Sequence, residues 1–136
     1  MSTRYLVDTN VLLRFLSGQP AKQAEAAKRL FEDAASGTVS LDVSPVIVAE
    51  VLYTLVSFYK VDRVDAAVKL AAILRRRGVK VREADQVFGA LDRLQTTNVG
   101  FADAFLAASG AQEGIPVASF DRDFEKFKDV TRFEPS

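Results

Sequence analysis

Short apolar runs alternate with helix-forming stretches from one end of the chain to the other, and this constrains the fold more than any other feature. Arg4 to Val7 predicts a first strand, and Asn10 to Ser17 a short helix ended by Gly18 and Pro20. Ala21 to Ala35 is rich in helix formers, with Pro20 at its start and Gly37 at its stop. Val39 to Val43 predicts a second strand, and Ser44-Pro45 opens a helix to about Tyr59. Asp62 caps a further helix running to Arg77 and stopped by Gly78. Val79 to Arg82 predicts a third strand, followed by helices over Ala84 to Thr97 and Phe101 to Glu113. Ile115 to Ser119 predicts a fourth strand and Val130 to Phe133 a fifth. Strands alternating with helices imply an α/β fold, with a central, largely parallel four- to five-stranded sheet flanked by helices. The 136 residues fit a single domain over residues 1–136.

Two absences narrow the chemistry. The chain has no Cys, which excludes thiol nucleophiles, disulfides and zinc–thiolate sites. It has no His, which excludes a Ser–His–Asp triad and a paired-imidazole ribonuclease mechanism. Carboxylates, Lys, Arg and hydroxyls remain, and carboxylates suit a hard divalent cation. Lys plus Arg equals Asp plus Glu at 18 each, so any binding of nucleic acid rests on local patches. No window approaches the ~18 apolar residues of a membrane span. The stretch from Met1 to Arg4 and the short apolar run after it lack the core of a signal peptide. A cytoplasmic protein without membrane association is expected.

Four carboxylates sit where the apolar pattern does not call for them. Asp8 interrupts "YLVDTNVLL" at the end of the first strand, where sites form in parallel sheets. It is also a good helix cap, and Thr9 and Asn10 are either turn residues or groups that orient it. Glu50 is the one charge between Ser44 and Tyr59. Its helical neighbours Val46, Ile47, Tyr53 and Thr54 imply partial burial and a need for a partner, an Arg or something else. Asp103 opens "ADAFLAASGA", where it favours the helix dipole, and the small residues after it allow close approach to a sheet. Asp121 follows the fourth strand, with Asp123 as the competing candidate and Ser119 as a supporting hydroxyl. Carboxylates gathered at one sheet edge repel one another unless a cation offsets them.

"YLVDTNVLL", "VIVAEVLYTL", "GFADAFLAASG" and "VASFDRDFEKF" resemble, in order, the acidic motifs of PIN-domain ribonucleases. Length and spacing are most similar to VapC-type toxins of toxin–antitoxin pairs. The resemblance covers nearly the whole chain, although Val61 to Thr97 matches only in helical character. It implies a metal-dependent endoribonuclease with Asp8, Glu50, Asp103 and Asp121 as catalytic residues. Asp8, Asp103 and Asp121 would ligate Mg²⁺, with Mn²⁺ as a substitute. Glu50 would hold a second metal or position the attacking water. It also implies an RNA substrate, a homodimer and a cognate VapB-like antitoxin whose tail covers the acidic site.

Other features are open to two readings. The cluster Arg75-Arg76-Arg77, with Lys80 and Arg82 beyond it, reads first as a solvated helix end complementing the dipole and second as a phosphate-binding patch. Arg14, under two turns from Asp8, is placed to reach substrate. Ten Phe residues exceed the needs of one small core. Most belong inside, and Phe58, with Tyr53 and Tyr59, is a candidate to line a partner groove. Two other functions compete with the ribonuclease. A phosphatase using Asp8 as nucleophile, as in haloacid-dehalogenase-like enzymes, needs a second Asp two residues on, where this chain has Asn10. A non-catalytic PIN-like binding domain would have lost one or more of the four acids, and all four are present.

Overall fold

The computed structural model describes residues 3–136. Met1 and Ser2, which begin the stretch read above as lacking a signal peptide, lie outside the described residues. The chain forms two compact units, Met1–Glu83 and Ala84–Ser136.

In the first unit, β1 (Thr3–Leu6), β2 (Val39–Val43) and β3 (Val79–Val81) form a parallel sheet in the order β1-β2-β3. Four helices join them: α1 (Thr9–Ser17), α2 (Ala21–Ala35), α3 (Pro45–Ser57) and α4 (Arg63–Leu74). Their core stripes meet at Leu12, Phe31, Val48, Val51, Leu70 and Leu74, all 2% exposed or less. On β2, Leu41 and Val43 turn into this core. The first strand forms as expected, but its apolar residues Tyr5 and Leu6 are 47% and 75% exposed, and only Val7 of that run is buried. The reason is that β1 lies at the edge of its sheet, with a neighbour on one side only.

α4 ends at Leu74 rather than Arg77, because Gly78 (φ 87°) enters β3 through a turn in which the Val79 N–H donates to the Arg76 carbonyl. Asp62 is the cap expected of it, accepting from the N–H groups of Val64 and Asp65. Ser44 occupies the cap position of α3, with Pro45 first in the helix, but its side chain makes no capping bond.

The second unit holds α5 (Ala84–Thr96), α6 (Phe101–Glu113), β4 (Val117–Ala118), a short 3₁₀ turn (Arg122–Lys126) and β5 (Arg132–Phe133). β4 and β5 pair in parallel as a separate sheet. The parallel α/β reading therefore holds, but the five strands are divided three and two rather than joined in one sheet. α5 packs along α6. β4 is shorter than the five residues read from sequence. Pro116 has no N–H for a ladder, and pairing begins at Val117.

Asp42, on β2, is the buried carboxylate of the first unit, and its Oδ2 receives both Arg4 and Arg82. The Arg4 hydrogen bond holds its pKa below the ordinary carboxylate value, against a desolvation that pushes the other way. A group depressed in the folded state adds stability above its unfolded pKa and loses it as pH falls toward the folded one. Asp42→Asn is therefore expected to be less stable than the parent at pH 7, by about 1–3 kcal/mol for a charged hydrogen bond. The gap should narrow below about pH 4. Urea melts of both proteins at pH 7 and pH 3 measure this, and a gap independent of pH would refute the ionic reading.

Candidate active site

Asp8 lies just beyond the carboxyl end of β1. The Val7 N–H extends the ladder to the Asp42 carbonyl at 2.9 Å, and the chain then turns into α1. Asp8 takes the cap position of that helix with an extended backbone (φ −83°, ψ 157°), yet its side chain makes no capping hydrogen bond. It is exposed, and among the described residues it has no ion-pair or hydrogen-bond partner. The local role that would explain an Asp here is thus left undone. Thr9, next to it, is buried and its Oγ1 has no hydrogen-bond partner among the described residues, so it does not orient Asp8 by a hydrogen bond. Asn10 is exposed on the first turn of α1.

α3 packs against α1 and starts from the carboxyl end of β2, so the two helices carry Asp8 and Glu50 up from the same edge of one sheet. Glu50 is exposed, contrary to the partial burial expected. The buried stripe of α3 runs through Val48, Val51, Leu52 and Leu55. Glu50 lies on the other side with Val46 and Tyr53, and those two apolar neighbours are themselves 72% and 71% exposed. No Arg pairs with Glu50 among the described residues. Phe58 is also exposed, while the Tyr59 hydroxyl accepts a 3.4 Å hydrogen bond from Arg14.

Arg75, Arg76 and Arg77 are exposed at the turn before β3. In a parallel sheet that turn lies at the amino edge, opposite the edge where Asp8 follows β1. Arg76 is held over the Phe15 ring, 5.3 Å from its centre. The cluster is therefore not part of the immediate surroundings of Asp8.

In the second unit, Asp103 is half-buried in the first turn of α6, after Gly100. It has no side-chain partner among the described residues. α6 ends at Gly114, and the chain runs back beside it. A side chain at Gly110 would come within 2.8 Å of the Ile115 carbonyl, so the close approach expected of this small-residue helix is real. β4 then leads in the direction of the first turn of α6, and Asp121 follows it. Asp121 Oδ1 accepts the Asp123 N–H at 2.8 Å and caps the 3₁₀ turn. Ser119 does not donate to that carboxylate; its Oγ accepts the N–H of Asp121 at 2.9 Å. Asp123 is paired with Lys126 at 3.1 Å, which leaves Asp121 the freer of the two acids.

Arg132 is a residue that sequence reasoning missed. From β5 it donates to the Ser119 carbonyl at 3.0 Å and pairs with Glu134 and Glu125, and these two partners raise its pKa. It thereby fixes the loop that carries Asp121. The signal was available as an isolated Arg inside an apolar final strand. Arg93 similarly grips Asp129 with two hydrogen bonds, 2.9 and 2.6 Å, and lies over Phe127. This pairing lowers the pKa of Asp129.

Each unit supplies two of the four acids, and among the described residues no group of three or more metal-ligating side chains is gathered. The donors are all carboxylate oxygens, the set that a hard divalent cation takes. Among the described residues, Asp8, Glu50 and Asp103 have neither an ion-pair partner nor a capping bond, whereas Asp121 caps the 3₁₀ turn. No helix among the described residues is long and apolar enough to cross a membrane.

A family profile described as "PIN domain" matches residues 5–130. A protein of Aquifex aeolicus (strain VF5), named "VapC ribonuclease", is 31% identical over 134 residues, a match that covers 96% of this chain and 98% of that protein. Among solved structures, a chain of VapBC2 from Rickettsia felis, crystallised bound to a DNA fragment from its promoter, is similar over 96% of this chain and 98% of that one. The identity is 15% and the TM-score 0.38.

Proposed function

The chain belongs to the PIN-domain family, and from that premise we propose that it is a metal-dependent endoribonuclease, the toxin of a toxin–antitoxin pair. The observation that carries the chemistry is the state of Asp8. It stands at the carboxyl end of a strand in a capping position, with no cap bond and, among the described residues, no ion-pair partner. We assign Asp8, Asp103 and Asp121 to an Mg²⁺ or Mn²⁺ ion, and Glu50 either to a second ion or to the attacking water. Asp123 is not assigned, since Lys126 already neutralises it.

An ion held by Asp8, Asp103 and Asp121 would supply an acidified water and offset charge on the phosphate. Glu50, exposed and without an ion-pair partner among the described residues, would orient that water for in-line attack on phosphorus or hold a second ion. The bond from phosphorus to the 3′ oxygen breaks, that oxygen takes a proton, and the products carry a 5′-phosphate and a 3′-hydroxyl. Neither an imidazole nor a 2′-hydroxyl nucleophile is required, in keeping with a chain that has no His. The partners that go with this reading are RNA, a second copy of the chain and a VapB-like antitoxin, in the cytoplasm.

Purified protein is expected to cut structured RNA with Mg²⁺ or Mn²⁺ and to stop in EDTA. The new ends should accept ligation through a 5′-phosphate. Cleavage that continues undiminished in EDTA would refute the proposal.

A further inference from the structure

The first unit holds a cavity of about 300 Å³ between α1 and α2, lined on α1 from Asn10, two residues after Asp8. Its walls are apolar, formed by Val11, Ala27 and Leu30. Asn10, Arg14 and Gln23 stand around it as the polar groups. Arg14 is held in place from two sides: Nε donates to Gln23 Oε1 at 2.8 Å, and Nη1 donates to the Tyr59 hydroxyl at 3.4 Å. Asn10 and Arg14 are four residues apart and share a face of α1. On α1 the cavity therefore begins within a turn of Asp8 and extends about 6 Å along the helix.

We propose that this cavity receives one unpaired nucleobase of the RNA, next to the phosphate that is cut, and so contributes to the choice of cleavage site. The inference rests on the ribonuclease reading above. The size is at the small end for ligand pockets and suits a single planar heterocycle rather than a length of helix. Apolar walls take the faces of the base. The Asn10 amide offers a donor and an acceptor to its edge, and the fixed guanidinium of Arg14 offers a flat cationic surface for stacking. The overall charge of the chain is zero, so affinity for RNA has to be built from local contacts of this kind.

The test is a methyl NMR titration of the full chain in EDTA with each of the four 5′-ribonucleoside monophosphates, and with ribose 5-phosphate as the baseless control. Val11 and Leu30 methyls are expected to shift with some bases more than others and to stay still with ribose 5-phosphate. Arg14→Lys keeps the charge and removes the plane, and should weaken the response about tenfold, the scale of one stacking contact. Ala26→Phe, at an exposed position on α2 bordering the cavity, should fill it and remove the response. No methyl shift with any nucleotide, an equal shift with ribose 5-phosphate, or a shift that survives Ala26→Phe each overturns the proposal. So does a cavity that responds only to an added partner peptide. Because the titration needs neither metal nor cleavage, its failure is distinct from a failure to cut RNA.

Discussion

Asp8→Asn is expected to melt at or above the parent temperature in EDTA, to show no further rise with Mn²⁺, and to lose RNA cleavage by about a hundredfold or more. The two roles open to Asp8 have opposite signs. A capping Asp would be replaced by Asn at little cost, with the metal response intact, because Asn is as good a cap. A ligand in a repelling carboxylate cluster would relax when neutralised and would lose the ion. The missing cap bond already weighs against the first role. For the parent, an ion at a hundred times its Kd adds about 2.7 kcal/mol, which is several degrees in a chain of this size. Thermal melts of both proteins with EDTA and with Mn²⁺ read the difference. A variant that keeps the full Mn²⁺ shift and normal cleavage returns Asp8 to the role of a cap.

Gly78→Ala is expected to cost about 2–5 kcal/mol, a large share of the roughly 5–15 kcal/mol that holds a domain together. Gly78 has φ 87°, and a Cβ there would stand 2.2 Å from the Ala34 carbonyl oxygen. The obstacle is backbone, so it cannot rotate away. Gly37 is the control, because it has the same φ of 87° with nothing within 4 Å of its Cβ position. Gly37→Ala should cost only the strain of a left-handed residue, about 1–2 kcal/mol. Urea denaturation of both variants separates strain from collision. Equal losses would mean that α2 and the entry to β3 do not meet so closely.

α2, β2 and α6 were legible to the residue, because each is bracketed by punctuation that acts locally: Pro20, Gly37, Ser44 and Gly114. The misreadings come from interactions at a distance. Tyr5 and Leu6 look like core by composition, but exposure depends on which strand lies at the edge. Glu50 seemed enclosed because Val46 and Tyr53 are apolar, yet the stripe that packs is the one through Val48 and Val51. Asp42 bears the same mark in sequence as Asp8, one carboxylate in an apolar run. Its meaning is different, and only strand pairing tells them apart: Asp42 has two arginines, and Asp8 has none among the described residues. The division of four acids between two units has no signature in sequence, since spacing along the chain does not report which segments pack together.

The pair of arginines on Asp42 has a consequence for how the first sheet assembles. Arg4 precedes and Arg82 follows the residues that pair beside Asp42, so one carboxylate is sighted diagonally from both neighbouring strands. Parallel strands that slide by a single residue exchange their two faces. Slippage of β2 in that way would bring Asp42 round to the side now held by Leu41 and Val43, stranding a charge in oil and separating it from both cations. The triplet thus acts as an alignment key: a misthreaded sheet is penalised from three strands at once, before any helix has closed over it.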